Sequence, residues 1–257
     1  KLAGTAGRVE PATLLSQGSL LVAPDTAAMA ALLGQPALPV VTLAGWLVLA
    51  PPTGALLASA AATFVRTAAL AVPAALVAVL FALPVAVVSA RGAQGAGRVL
   101  ERIVYLGYAM PPLALALAVV MFALRYTPFA YQTSPLLVAA YVVSFLALAI
   151  GPIRSGLLQV SPRLEEAARS LGRRRSTAFV TTTLPLIGRN LLAAGALVLM
   201  VTMKELPLTY LLAPTGYTTL ATRVFGYTSE GMMANAAPFA ATIVLFSSLF
   251  VGLLLAY

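Results

Sequence analysis

Residues 166–185 read Glu166-Ala167-Ala168-Arg169-Ser170-Leu171-Gly172-Arg173-Arg174-Arg175-Ser176-Thr177-Ala178-Phe179-Val180-Thr181-Thr182-Thr183-Leu184-Pro185. This polar, arginine-rich island lies between long apolar segments of a chain that is otherwise almost free of charge. Hydrophobic residues make up 61% of the 257 and charged residues 9%, against about 45–50% and about 25% in soluble domains. The bulk solvent of such a chain is lipid, and the sequence predicts an all-α membrane protein, a polytopic bundle with one polar helix outside the membrane.

A helix needs about 20 predominantly apolar residues to span the hydrocarbon. Five windows of that kind flank the island: Thr67 to Ala90, Ile103 to Leu124, Ser134 to Ile153, Asn190 to Leu208 and Ala237 to Tyr257. A sixth, Ala37 to Ala50, holds 14 residues before Pro51-Pro52 and is a candidate short span, giving five or six in all. Residues 1–60 are expected to be a lead-in carrying that segment, and 61–257 the membrane domain. The start at Lys1 without Met and the apolar run still open at Tyr257 suggest a piece of a longer chain. Pro73, Pro84, Pro111 and Pro112 should each release a carbonyl and kink or loosen a helix. Ala68-Ala69, Ala71, Ala74-Ala75 and Ala193-Ala194-Gly195-Ala196 should let helix backbones approach closely.

Basic residues accumulate in cytoplasmic loops. Arg91, Arg98 and Arg102 follow the first strong window, and Arg154, Arg163, Arg169, Arg173, Arg174, Arg175 and Arg189 lie between the third and fourth. The other side carries Arg66, Arg125, Lys204 and Arg223. The island is therefore expected to be cytoplasmic. The net charge of +9 reads as this loop bias rather than as a nucleic-acid surface. With no Cys and no His, disulfides, thiolate or imidazole metal sites and His-based general bases are excluded.

Within the island, Ser161-Pro162 suits a helix start, and Glu165 and Glu166 suit the positive end of its dipole. Gly172 suits a left-handed stop. The product is a helix of about ten residues, roughly 15 Å long. Ala167 and Ala168 leave one surface flat enough to enter a groove on another protein, with Glu166 available for pairing.

Glu166-Ala167-Ala168, Gly172 after three residues and Leu184-Pro185 after eleven more resemble the coupling loop of binding-protein-dependent ABC importer permeases. One position departs, since Thr182 stands where an apolar residue is usual. The resemblance implies the type I permease fold of these importers and a prokaryotic cytoplasmic (inner) membrane location. It also implies that the loop over residues 154–189 docks into a cleft of an ABC ATPase subunit dimer. That role falls on Glu166, Ala167, Ala168 and Gly172, with Leu184 and Pro185 setting the turn into the next span. ATP and Mg would be bound by the ATPase and no cofactor by this chain. An extracytoplasmic substrate-binding protein and a second permease half, upstream in the same chain or on another subunit, complete the implied partners.

Met203-Lys204-Glu205-Leu206-Pro207 puts two charges near the outer end of a span, and intramembrane charge is expensive enough to suggest a function. Lys204, Glu205 and Tyr210 are candidates for the translocation path. Residues 208–225, Ser229-Glu230-Gly231, Ala236-Ala237-Pro238 and Tyr105-Leu106-Gly107-Tyr108-Ala109 resemble the iron(III)-type branch, whose members are often fusions of two halves. This chain resembles a second half. Thiamine, polyamine, phosphonate and sulfate branches share the architecture. Glu205, Glu230, Tyr210, Tyr217 and Tyr227 would offer hard oxygen ligands, but no metal site is assigned. An intramembrane enzyme is disfavoured by the lack of His, and catalytic residues are expected to be absent. There is no Gly-x-x-x-x-Gly-Lys loop, so ATP hydrolysis belongs to a partner. An ion-coupled secondary transporter would need several buried acids, where only Glu205 falls within a predicted span.

Overall fold

The computed structural model describes residues 38–92 and 95–256. The lead-in from Lys1 to Pro36 therefore lies outside the described residues. The chain divides into two units, residues 1–49 and 50–257. In the first, the apolar helix α1 spans Leu38–Leu49. It matches the short apolar window and, at 12 residues, is shorter than the hydrocarbon requires.

The second unit is helical among its described residues. It comprises α2 (Gly54–Arg91), α3 (Ala96–Ala109), α4 (Pro112–Tyr126), α5 (Ser134–Gln159), α6 (Arg163–Ser170), α7 (Arg175–Leu186), α8 (Gly188–Met203), α9 (Pro207–Leu212), α10 (Leu220–Ser229) and α11 (Met233–Ala256). Three helices, α2, α5 and α11, are long and apolar enough to cross a membrane, and the count rises to five if each of two bent pairs is one span. These five correspond to the five windows read from the sequence.

Three boundaries differ from expectation, each for a local reason. Helix α2 starts at Gly54 rather than Thr67, because Thr53 caps it there through a hydrogen bond from the Leu56 amide (3.3 Å). Arg66 interrupts the apolar window without interrupting the helix. The Ile103–Leu124 window is two helices, α3 and α4, bent by 98°. Pro111 and Pro112 bring no backbone donors, and a residue before proline is pushed out of the α region, so Met110 (ψ 136°) and Pro111 (ψ 130°) are extended. Pro73 and Pro84, by contrast, remain inside α2. The Asn190–Leu208 window ends at Met203, and Pro207 opens α9.

The centre of the bundle is α2, α5 and α8 packed together. Ala71, Ala74, Ala78, Ala82 and Ala86 are wholly buried along one stripe of α2, the close approach of small residues that drives helix association in lipid. Ala194 and Ala196 of α8 are buried as well. Hydroxyls in this core bond back to their own helix, as Thr67 does to the Thr63 carbonyl (2.8 Å) and Ser144 to that of Ala140 (2.9 Å), which satisfies them inside an apolar bundle. The tightest crossing is at Gly156 on α5, where a Cβ would sit 2.5 Å from Asn190 Cγ. Gly156→Val is expected to destabilise the bundle by about 1–3 kcal/mol through overpacking, read as a lower melting temperature in detergent.

Candidate functional site

Helix α5 ends at Gln159 and the chain turns through Ser161-Pro162 into α6. The helix is eight residues long rather than about ten, and its N-cap is Pro162 with no side-chain bond. Ser161 contributes its carbonyl, which accepts from the Leu164 amide (3.2 Å). The C-terminus follows the expected chemistry: Gly172 has φ +88°, the Gly172 amide bonds the Arg169 carbonyl (2.9 Å) and the Arg173 amide bonds that of Ala168 (3.2 Å). This pair of bonds is the Schellman closure, which needs a residue at ease in the left-handed region.

The two adjacent carboxylates of α6 have opposite fates. Glu165 points inward and accepts hydrogen bonds from Arg91, the last residue of α2, and from Thr183 in the π-helical stretch Phe179–Thr183 of α7. The Arg91–Glu165 ion pair is only 19% and 16% exposed, and Thr183 is fully buried. One carboxylate thus ties α6 to α2 and α7 at once. Partial burial raises the Glu165 pKa, but the bonds from Thr183 and Arg91 and the nearby charges of Arg91 and Arg175 outweigh it and hold the group below its ordinary carboxylate value. A depressed carboxylate contributes stability that is complete above its unfolded pKa of about 4.3 and is lost as pH falls through the lower folded value. Hydrogen exchange of the α6 amides is therefore expected to keep the same protection factors from pH 8 down to about 5, and protection lost near neutrality would contradict this anchor.

Glu166 is exposed, and among the described residues its carboxylate makes no hydrogen bond or ion pair. It borders a shallow hollow with Arg169, Ser170, Arg173, Arg174 and Arg175. Ala167 is exposed beside it, Ala168 half-buried, and Leu171 is 86% exposed. The outward side of the loop therefore offers a free carboxylate, a small apolar step and a projecting leucine within one helix length. Leu184 and Pro185 lie in the last turn of α7, which meets α8 at a 72° bend. Thr182 sits half-buried in the π-helical stretch.

At the other end of α5, about 39 Å away along its 26 residues, a polar cavity of about 500 Å³ is lined by Thr209, Tyr210, Tyr217, Arg223, Tyr227 and Glu230 among others. It gathers four of the five oxygen-bearing side chains singled out in the sequence and leaves out Glu205. Tyr217 donates to the Arg66 carbonyl (2.6 Å), and the Leu220 amide donates to Thr67 (3.0 Å), which pins the cavity wall to α2.

Lys204 and Glu205 lie in the turn between α8 and α9 rather than on a helix. Lys204 is exposed, whereas Glu205 is buried and accepts from the Leu208 amide (3.0 Å), capping α9. Thr209 bonds the Glu205 carbonyl (2.7 Å) and the hydroxyl of the buried Tyr141. Tyr210 is exposed and stacks edge-on with Phe225. Of the three path candidates, only Tyr210 lines the cavity. Sequence reading missed Arg91 and Thr183 as partners of the loop. Arg91 ends an apolar window and Thr183 precedes Leu184-Pro185, but no local pattern joins either of them to Glu165, 74 and 18 positions away.

A bundle of apolar helices broken at prolines, with one polar helix held at one end and a polar cavity at the other, is the architecture of a multi-pass membrane transport component. Over residues 82–257 the chain matches the family described as binding-protein-dependent transport system inner membrane component, and it belongs to that family. It is 38% identical over 183 residues to the Fe(3+)-transport system permease protein FbpB 2 of Haemophilus influenzae, covering 71% of this chain and 36% of that protein. It is 32% identical over 147 residues to a 2-aminoethylphosphonate transport system permease protein, PhnV, described as putative, of Salmonella typhimurium, covering 57% and 54%. The chain thus spans about a third and about half of these relatives. In fold it is similar to a chain of the inward-facing MetNI methionine ABC transporter (TM-score 0.63, 15% identity, 77% of this chain and 94% of that one). It is also similar in fold to one of a bacterial ABC transporter that imports the polysaccharide alginate (TM-score 0.57, 16% identity, 95% and 94%).

Proposed function

We propose that the chain is one permease half of an ATP-driven iron(III) importer, with α6 as the cytoplasmic helix through which an ABC ATPase dimer drives it. The observation that carries this reading is the division of labour on α6. Glu165 is spent on the protein's own interior, while Glu166, Ala167 and Leu171 are left free on a helix rigidly joined to α2 and α7. A push on that helix is delivered to α2 through Arg91 and to α8 through the bend after Leu186. Closure of the ATPase dimer on ATP would tilt these spans and open the path outward, and hydrolysis would reset it. A second permease half completes the pathway, and an external binding protein delivers the substrate at the end where the tyrosine-lined cavity lies. Tyr210, and Lys204 and Glu205 in the turn beside it, are assigned to that end of the path.

The iron(III) assignment is supported by the likeness to FbpB 2 and by a cavity whose lining of tyrosines, threonines and Glu230 is rich in hard oxygen donors. Arg223 in the same lining favours an anionic cargo, which makes a phosphonate the second reading. The two are separated by uptake into proteoliposomes holding the full-length transporter, its ATPase and its binding protein. ATP-dependent accumulation of radioactive ferric iron that a tenfold excess of 2-aminoethylphosphonate does not reduce supports iron. Accumulation of the phosphonate without iron would overturn it.

A further inference from the structure

Between the end of α2 and the start of α7 runs a groove of about 730 Å³ that borders the Arg91–Glu165 contact at one end and is separate from the polar cavity. Its walls are apolar, with Leu83, Val87, Val88, Phe179 and Val180 among them. Val88 is 38% and Val180 54% exposed, whereas Leu83, Val87 and Phe179 are half-buried and pack against the core, so the groove has an open rim and a floor continuous with the core. Along α2 the groove extends from Leu83 to Arg91, about 12 Å of helix, and it ends where the apolar stretch ends. At that end stand Arg91 and Arg175, with the Glu165 carboxylate between α6 and Arg91 as the one anion of the lining. One nitrogen of Arg91 is held by Glu165, but its Nε and Nη2 are buried with no hydrogen-bond partner among the described residues. The Arg175 guanidinium is exposed, has no hydrogen bond or ion pair among the described residues, and its charge acts on Glu165. Buried guanidinium donors are rarely left unmet, and each such group carries the full desolvation penalty.

An apolar channel that runs back along the apolar part of α2 and is closed at its charged end by two cations with spare donors matches the constitution of one class of molecule. We propose that this groove is a binding site for an anionic phospholipid, its acyl chain against Leu83, Val87, Phe179 and Val180 and its phosphate on Arg91 and Arg175. Basic pockets between membrane helices hold acidic headgroups by this chemistry. A phosphate reached by a small turn of the Arg91 side chain supplies acceptors for its two orphaned nitrogens while the third stays on Glu165. The lipid then braces the same arginine that anchors α6, joining α2 to α7 from the bilayer side. A buried protein helix would have to bring its own carboxylate to the mouth, whereas an acidic lipid has the anion and the chain already joined.

The test uses the full-length transporter with all its subunits, purified in mild detergent and offered equal amounts of phosphatidylglycerol and phosphatidylcholine, with retained lipid read by native mass spectrometry. Phosphatidylglycerol is expected to be retained at least about fivefold over phosphatidylcholine, with Arg175→Gln lowering that preference about fivefold. Val180→Trp, which fills the groove from an exposed position, is expected to lower retention of phosphatidylglycerol as well. Arg175→Gln is preferred to a change at Arg91, which would also break the loop anchor. Equal retention of the two lipids would overturn the proposal, as would retention unchanged in both variants. Displacement of the lipid preference by millimolar inorganic phosphate with Val180→Trp inert would assign the arginines to a free anion instead. Efficient cross-linking of Val180→Cys to the second permease half would make the groove a protein interface.

Discussion

Replacing Glu165 by Ala is expected to lower transport-coupled ATP hydrolysis by about tenfold or more while the protein still inserts. The carboxylate accepts from Arg91 and Thr183 together, and both partners are largely or wholly buried. Its removal leaves an arginine and a hydroxyl without acceptors, a loss of about 1–3 kcal/mol, and 1.4 kcal/mol is already tenfold in the population of a correctly seated α6. The pair is more enclosed than the exposed ion pairs that contribute about 0–1 kcal/mol. Arg91→Ala is expected to have a similar effect, and the double variant should be little worse than either single one, because the two changes remove the same link. Additive effects in that cycle would mean that Glu165 and Arg91 act separately.

Gly172→Leu is the second change with a large expected effect, and its cause is conformational rather than steric. A Cβ at Gly172 would meet nothing within 4 Å, but the residue sits at φ +88°. Forcing a side chain into the left-handed region costs about 1–2 kcal/mol, which opposes both bonds of the Schellman closure and lets the end of α6 and the projecting Leu171 drift. Coupled hydrolysis should fall about tenfold, whereas Gly172→Asn should keep most of it, since Asn visits that region readily. Equal loss in the two variants would point to contact at position 172 rather than to its backbone.

Some of this was legible before any coordinates. The five apolar windows, the polar helix and its glycine stop are local patterns that appear close to where composition places them, and of the small residues named on α2, Ala71, Ala74 and Ala75 are buried whereas Ala69 is exposed. What could not be read were outcomes decided by competition between distant parts. The window containing Pro111-Pro112 is apolar enough for one span, and only the geometry of consecutive prolines turns it into two helices at 98°. Lys204 and Glu205 read as intramembrane charges because the window ran on to Leu208, whereas the structure ends α8 at Met203 and uses Glu205 to cap α9. Glu165 and Glu166 are equivalent as first-turn carboxylates, and only the motif spacing singles out Glu166 as the outward one. Their separation into an inward anchor and an outward free carboxylate depends on an arginine 74 positions away from Glu165.

The central claim is that the outward side of α6 is the surface on which the ATPase acts. It is tested most directly by co-purifying the full-length protein with its ATPase subunit, comparing wild type with a Glu166→Lys, Ala167→Trp double variant whose Glu165 anchor is untouched. The account predicts that the variant inserts to wild-type levels and retains at least about tenfold less ATPase, a charge reversal and a bulky ring together removing 1.4 kcal/mol or more of a desolvated contact. Undiminished co-purification and coupled hydrolysis in that variant would contradict it.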